Sequence, residues 1–170
     1  MLQGPLGFDL PNSTATEALG AALARAFPGA ATGAVVHLRG DLGSGKTTCV
    51  RSLLHALGVT GTVRSPTYTL VDTYSIADLV CVHVDLYRLQ SRSEVEELGL
   101  RDLTGPDYLM LVEWPEKGGL AVPPADLKLQ LLYAGEARRA VLVAESGTGS
   151  AWLSNLVIDT SLKSYVSNLT

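Results

Sequence analysis

The chain has 170 residues, 46% of them hydrophobic and 18% charged, about the length of one domain and enough to bury a single core without disulfide staples. Its 17 glycines and 8 prolines follow no period, which excludes a collagen-like fibre and wholesale disorder, and no apolar run approaches the ~18 residues that a membrane span needs. With 13 Lys and Arg against 17 Asp and Glu, the net charge is −4, the wrong sign for a protein that grips nucleic acid unaided through phosphate contacts.

The opening residues lack both a basic start and a long apolar stretch, so they do not read as a secretory signal. Thr14 to Phe27, with Leu19, Leu23 and Phe27 spaced four apart, predicts a first helix; Thr14 and Glu17 form a T-x-x-E capping pattern, and Pro28-Gly29 ends the run. Gly33 to Leu38 is a short apolar run and reads as a buried strand. Lys46 to Leu57 places Val50, Leu53, Leu54 and Leu57 on one helical face, with Gly58 where a C-terminal cap belongs. The order here is therefore strand, glycine-rich turn, helix.

Further on, TLVDTY predicts a strand that pairs with Asp78 to Leu89, and SRSEVEELGL a short helix capped by Ser93. Tyr108 to Trp114 is another apolar strand, stopped by Pro115, and Pro123-Pro124 punctuates again. Asp126 to Tyr133 alternates Leu127, Leu129 and Leu131 with Lys128 and Gln130, the period of a half-exposed strand. AGEARR turns this into AVLVAE as a hairpin, and Trp152 to Ile158 reads as a last short helix. The expected fold is one α/β domain over residues 1–170, its sheet mostly parallel with an antiparallel C-terminal hairpin, flanked by helices, with a flexible tail over 159–170. Cys49 and Cys81 have no C-x-x-C spacing and read as buried, reduced thiols of a cytoplasmic protein.

Gly40-Asp41-Leu42-Gly43-Ser44-Gly45-Lys46-Thr47 fits G-x-x-x-x-G-K-[ST], the phosphate-binding loop. Its backbone N–H groups and the following helix N-terminus present positive charge to phosphate oxygens. Lys46 adds a full charge at the β/γ-phosphates, and the Thr47 hydroxyl suits a Mg²⁺ shell. The apolar strand before it and the amphipathic helix after it are the context the motif requires, so the sheet is expected to be of the small P-loop NTPase type.

Such a site needs a carboxylate at the end of a neighbouring strand, and Asp85 and Glu113 each close an apolar run. Both should converge on the loop, because ligands bind beyond the carboxyl ends of parallel strands; the competing reading for either is a strand cap or an arginine partner. His37, His55 and His83 have no metal-ligand spacing and read as structural. Arg88, Arg92 and Arg101 read as a solvated face, with a phosphate contact as the alternative for one of them. No N-K-x-D follows, so the guanine-specificity element of common GTPases is missing.

GDLGSGKTT, SPTYTLVDTY, HVDLYRL with EELGLRD, and LVEWPE, in that order from about Asp9 to Val157, resemble the bacterial TsaE family, the P-loop ATPase of tRNA threonylcarbamoyladenosine biosynthesis. The resemblance implies a small α/β P-loop fold, ATP and Mg²⁺ as cofactors, and work alongside the two-subunit enzyme (TsaB and TsaD type proteins) that modifies adenosine 37 of tRNA. It implies that Gly40 to Thr48 form the ATP loop, that Lys46, Asp85 and Glu113 are catalytic, and that Thr47, Asp85 and Glu113 hold Mg²⁺. It also implies that Thr67 lies in a switch-like segment near the γ-phosphate and Trp114 beside the nucleotide. Ser44, Cys49 and Val84 depart from the family pattern without removing a donor or a charge. The acidic balance then fits a protein that meets tRNA only indirectly. A small-molecule kinase and a non-hydrolytic nucleotide-dependent interaction module are the alternatives.

Overall fold

The computed structural model describes residues 4–169. In chain order the elements are β1 (Leu6–Leu10), α1 (Ser13–Ala26), β2 (Ala34–Arg39), α2 (Lys46–Leu57), β3 (Val71–Ile76), β4 (Leu79–Asp85), α3 (Arg92–Glu97), β5 (Tyr108–Glu113), β6 (Leu127–Ala134), β7 (Ala137–Ala144), α4 (Gly147–Val157) and β8 (Val166–Ser167), with short 3₁₀ turns between them. The strands form one sheet in the order β3-β4-β5-β2-β6-β7-β1-β8.

The expected mostly parallel sheet is not what forms. Three pairings are parallel, β4 with β5, β5 with β2 and β2 with β6; four are antiparallel, β3 with β4, β6 with β7, β7 with β1 and β1 with β8. For two of the four the reason is loop length. Only Ala77-Asp78 joins β3 to β4, and only Gly135-Glu136 joins β6 to β7, and a two-residue connection can join only antiparallel neighbours. A parallel centre is thus framed by antiparallel flanks.

Side chains alternate across the sheet with period two. On β5, Leu109 and Leu111 join the core beneath α1, α2 and α4, whereas Met110 and Val112 join the core beneath α3. On β4, Cys81 faces the first of these cores, and Val82 and Val84 face the second. His83, Asp85 and Glu113 continue the Cys81 and Leu109 series, so they share the α2 side of the sheet. Helices α1 and α2 pack closely: a Cβ on Gly20 would lie 2.4 Å from the Cys49 carbonyl oxygen. Cys49 and Cys81 are buried and free, as expected. No helix among the described residues is long and apolar enough to cross a membrane.

Several ends differ from the sequence reading. The cap of α1 is Asn12, whose Oδ1 accepts from Ala15 N at 3.0 Å, so the Thr14–Glu17 pattern lies inside the helix. The capping box of α3 uses Ser91 with Glu94, in place of Ser93. Helix α4 begins at Gly147 rather than Trp152, because Ser146 Oγ accepts from Gly149 N at 3.1 Å and provides an earlier cap. The segment expected as a tail forms a 3₁₀ helix (Thr160–Tyr165) and then β8, which pairs with the unanticipated β1.

Candidate functional site

The glycine-rich loop leaves β2 and enters α2 at Lys46. At Gly40 (φ 150°) a Cβ would lie 2.5 Å from both the Leu131 carbonyl and Ser44 Oγ, so no other residue lets the loop start here against β6. The far side of the loop is tied to the β6–β7 hairpin. Tyr133 OH donates to the Leu42 carbonyl at 2.6 Å, and Arg138 Nη2 donates to the Gly43 carbonyl at 3.3 Å.

Lys46 is only 4% exposed. Its ammonium donates to the carbonyls of Gly40 and of Asp41 (3.0 Å) and lies 4.2 Å from the Trp114 ring centroid, a cation–π arrangement. Burial pulls its pKa below the usual lysine value, while the charges of Glu113 and Asp85 oppose that shift. Trp114 takes this position with a left-handed backbone (φ 59°) immediately before Pro115, an unfavourable conformation for a bulky residue. Tyr87 packs against the same ring with centroids 5.1 Å apart.

Asp85 and Glu113 end adjacent parallel strands in direct register. Thr47 Oγ1 lies 2.9 and 3.0 Å from the two Glu113 carboxylate oxygens and donates to them. Asp85 is held differently: Ser65 Oγ donates to its Oδ2, and Tyr87 N donates to Oδ1 at 2.9 Å. The two acids therefore converge on one cleft, with Glu113 against the loop threonine and Asp85 against the 65–67 segment.

That cleft has a volume of about 460 Å³. Leu42, Gly43, Gly45, Lys46, Thr47, Thr48, Thr67, Asp85, Glu113 and Trp114 line it, so most of the predicted site comes together. Gly40 and Asp41 do not line it; they sit behind, in a separate cavity against β6. Ser44 is buried beneath the loop. The sequence reading put Ser65 in the switch-like segment but not among the site residues, missed Tyr87, and left Arg88 with the solvated face; Ser65 and Tyr87 both line the cleft. Arg88 lines the cleft too and stacks 4.8 Å from the exposed Tyr68 ring; its nearness to Asp85 in sequence was the available signal. His83, read as structural and noted for standing two residues before Asp85, lies 2.8 Å from Glu113 Oε1. His37 stays structural, bonded to the Pro123 carbonyl at 2.8 Å.

Burial makes both cysteines weak nucleophiles. Burial, aided by the Glu113 charge, pushes the Cys49 thiol up to about 12, and burial pushes Cys81 to about 11, leaving both protonated at neutral pH.

Comparison with known proteins agrees with this arrangement. A family model described as Threonylcarbamoyl adenosine biosynthesis protein TsaE matches residues 10–141. The chain is 45% identical over 115 residues to the tRNA threonylcarbamoyladenosine biosynthesis protein TsaE of Haemophilus influenzae, covering 68% of this chain and 73% of that protein. To the Bacillus subtilis protein of the same name it is 35% identical over 136 residues, covering 80% and 83%. The crystal structure of Bacillus subtilis YdiB matches with a TM-score of 0.72 at 28% identity, over 92% of this chain and 96% of that one. The family match spans most of the chain, including every strand of the parallel centre and the whole cleft, and so the chain belongs to the TsaE family of threonylcarbamoyladenosine biosynthesis proteins.

Proposed function

We propose that this chain is a P-loop ATPase of tRNA threonylcarbamoyladenosine biosynthesis. It hydrolyses Mg·ATP in the cleft and acts through a nucleotide-dependent complex with the two-subunit TsaB and TsaD type transferase, meeting tRNA only through that partner. The observation that carries the reading is the meeting of Lys46 and Thr47 with the paired strand ends Asp85 and Glu113 in one cleft.

The residues fit the ligands. Gly40, Gly43 and Gly45 all have positive φ, which opens a backbone cradle of N–H groups at the α2 N-terminus, suited to phosphate. Thr47, Asp85 and Glu113 offer hard oxygen donors. Two carboxylates and a hydroxyl are the kind of donor set that Mg²⁺ shares with waters and substrate phosphates. A bound Mg²⁺ would neutralise charge at the β/γ-phosphates.

The chain's own groups do the rest. The Lys46 ammonium, now on two loop carbonyls, would exchange them for phosphate oxygens. Thr47 and Glu113 would hold the metal ion. Asp85 and Thr67, which also line the cleft, would face the γ-phosphate and align the attacking water. Asp85 also holds Ser65, so the 65–67 segment would respond to the difference between ATP and ADP and give the partner a two-state surface to read. This reading is tested by measuring phosphate release from Mg·ATP with and without the purified transferase. Weak hydrolysis alone and stimulation by the partner are expected. Phosphoryl transfer to a small acceptor would favour a kinase, and binding without turnover would favour an interaction module.

A further inference from the structure

The proposed function leaves the imidazole of His83 without a task. His83 is fully buried on β4, where it pairs in register with Leu111, one step before the Asp85–Glu113 pair. From there it reaches diagonally to the next position on the same face of the sheet, and its Nε2 lies 2.8 Å from Glu113 Oε1. Its Nδ1 is buried with no hydrogen-bond partner among the described residues.

A carboxylate oxygen at this distance calls for a donor, so Nε2 carries a hydrogen and donates it to Oε1.

We infer that His83 is a positioning residue for Glu113: its Nε2–H fixes the carboxylate orientation that presents Glu113 to Thr47 and to a divalent cation. The inference rests on the reading of this cleft as a Mg·nucleotide site. A single N–H donor on one carboxylate oxygen orients the group and leaves its other lone pairs free for a cation. Hydrogen bonds that orient a metal's ligands commonly change metal affinity 10–100-fold when removed.

The test uses His83→Gln, His83→Asn and His83→Leu in the full chain. Glutamine can place an amide N–H where Nε2 stands; asparagine falls a methylene short, and leucine has no donor. The readout is the Mg²⁺ concentration giving half-maximal thermal stabilisation by subsaturating ADP, beside ADP binding in EDTA. His83→Asn and His83→Leu should raise the Mg²⁺ midpoint about tenfold or more, and His83→Gln should stay within about threefold of native. All three should keep metal-free ADP binding. If His83→Asn or His83→Leu fails to fold, the other gives the same comparison. A native-like midpoint in His83→Asn or His83→Leu, or a midpoint in His83→Gln as high as theirs, overturns the positioning role. A native protein whose stabilisation by ADP ignores Mg²⁺ overturns the metal reading itself, a different result from variants that merely match native.

Discussion

At the parallel centre of the sheet and the start of α2 beside it, His83, Asp85, Glu113 and Lys46 are charged or polar groups exposed by 5% or less. In the antiparallel flank, the equally buried places belong to Leu10, Ala140, Leu142 and Trp152. Burying polar groups costs free energy unless each finds a partner, and in the centre every one of the four has at least one. The flank contributes apolar packing, with Trp152 Nε1 donating to the Leu23 carbonyl at 2.9 Å and its ring set against Phe27. One region is built to hold charge ready, and the other to hold the fold together.

Substitutions on either side should separate the two roles. Trp152→Ala should cost the most, about 3–5 kcal/mol of unfolding free energy from cavity formation, measured by urea denaturation; the fraction still folded should bind nucleotide normally. If that loss is accompanied by weakened nucleotide affinity, the flank and the centre are not independent. Glu113→Ala and Asp85→Ala should reverse the pattern. Turnover of Mg·ATP should fall by at least about 100-fold, roughly 2.7 kcal/mol at the barrier, while metal-free ADP binding survives. Isothermal titration beside a phosphate-release assay reads both, and full turnover in Glu113→Ala at saturating Mg²⁺ would place the metal elsewhere.

Lys46→Ala should abolish most nucleotide-induced stabilisation, because a charge-assisted phosphate contact worth about 1.5–3 kcal/mol is lost. Without ligand its melting temperature should stay close to native, since burial already disfavours this ammonium. A mutant stabilised by Mg·ATP as strongly as native would remove Lys46 from the site. The smallest effect belongs to the flank's surface. A hydrogen bond from Arg25, at 2.9 Å, holds the Asp159 carboxyl at about 2, below its usual 3.8. Its contribution is therefore present above pH 3.8 and lost as pH falls through about 2. With Arg25 half exposed, Asp159→Asn should cost well under about 1 kcal/mol at neutral pH, and the gap from native should close in acid-denaturation curves near pH 2.

The same division marks what could be read from the amino acids alone. The loop, its helix and the strand-closing acids carry their signal locally, within a few residues, and all of them meet in the cleft. The flank depends on partners distant in sequence. β1, between Pro5 and Pro11, is a five-residue strand, LGFDL, too short to show a period, and β8 has two residues whose pairing exists only once β1 is in place. His83 was missed for a related reason. A lone histidine between valines looks like core, and its bond to Glu113 crosses 30 positions of sequence.

The two margins of the sheet also face different hazards. β3, at one margin, carries Asp72, Thr73 and Ser75, polar side chains that discourage another strand from adding there. At the other margin, β1 pairs with Val166 and Ser167 of β8. Without that cover, the backbone N–H and C=O groups of β1 opposite residues 166–167 would lie open along a strand whose Phe8 and Leu10 are apolar. An open strand of this kind is a template for edge-to-edge pairing between copies, and β8 occupies part of that template by pairing with Gly7 and Phe8.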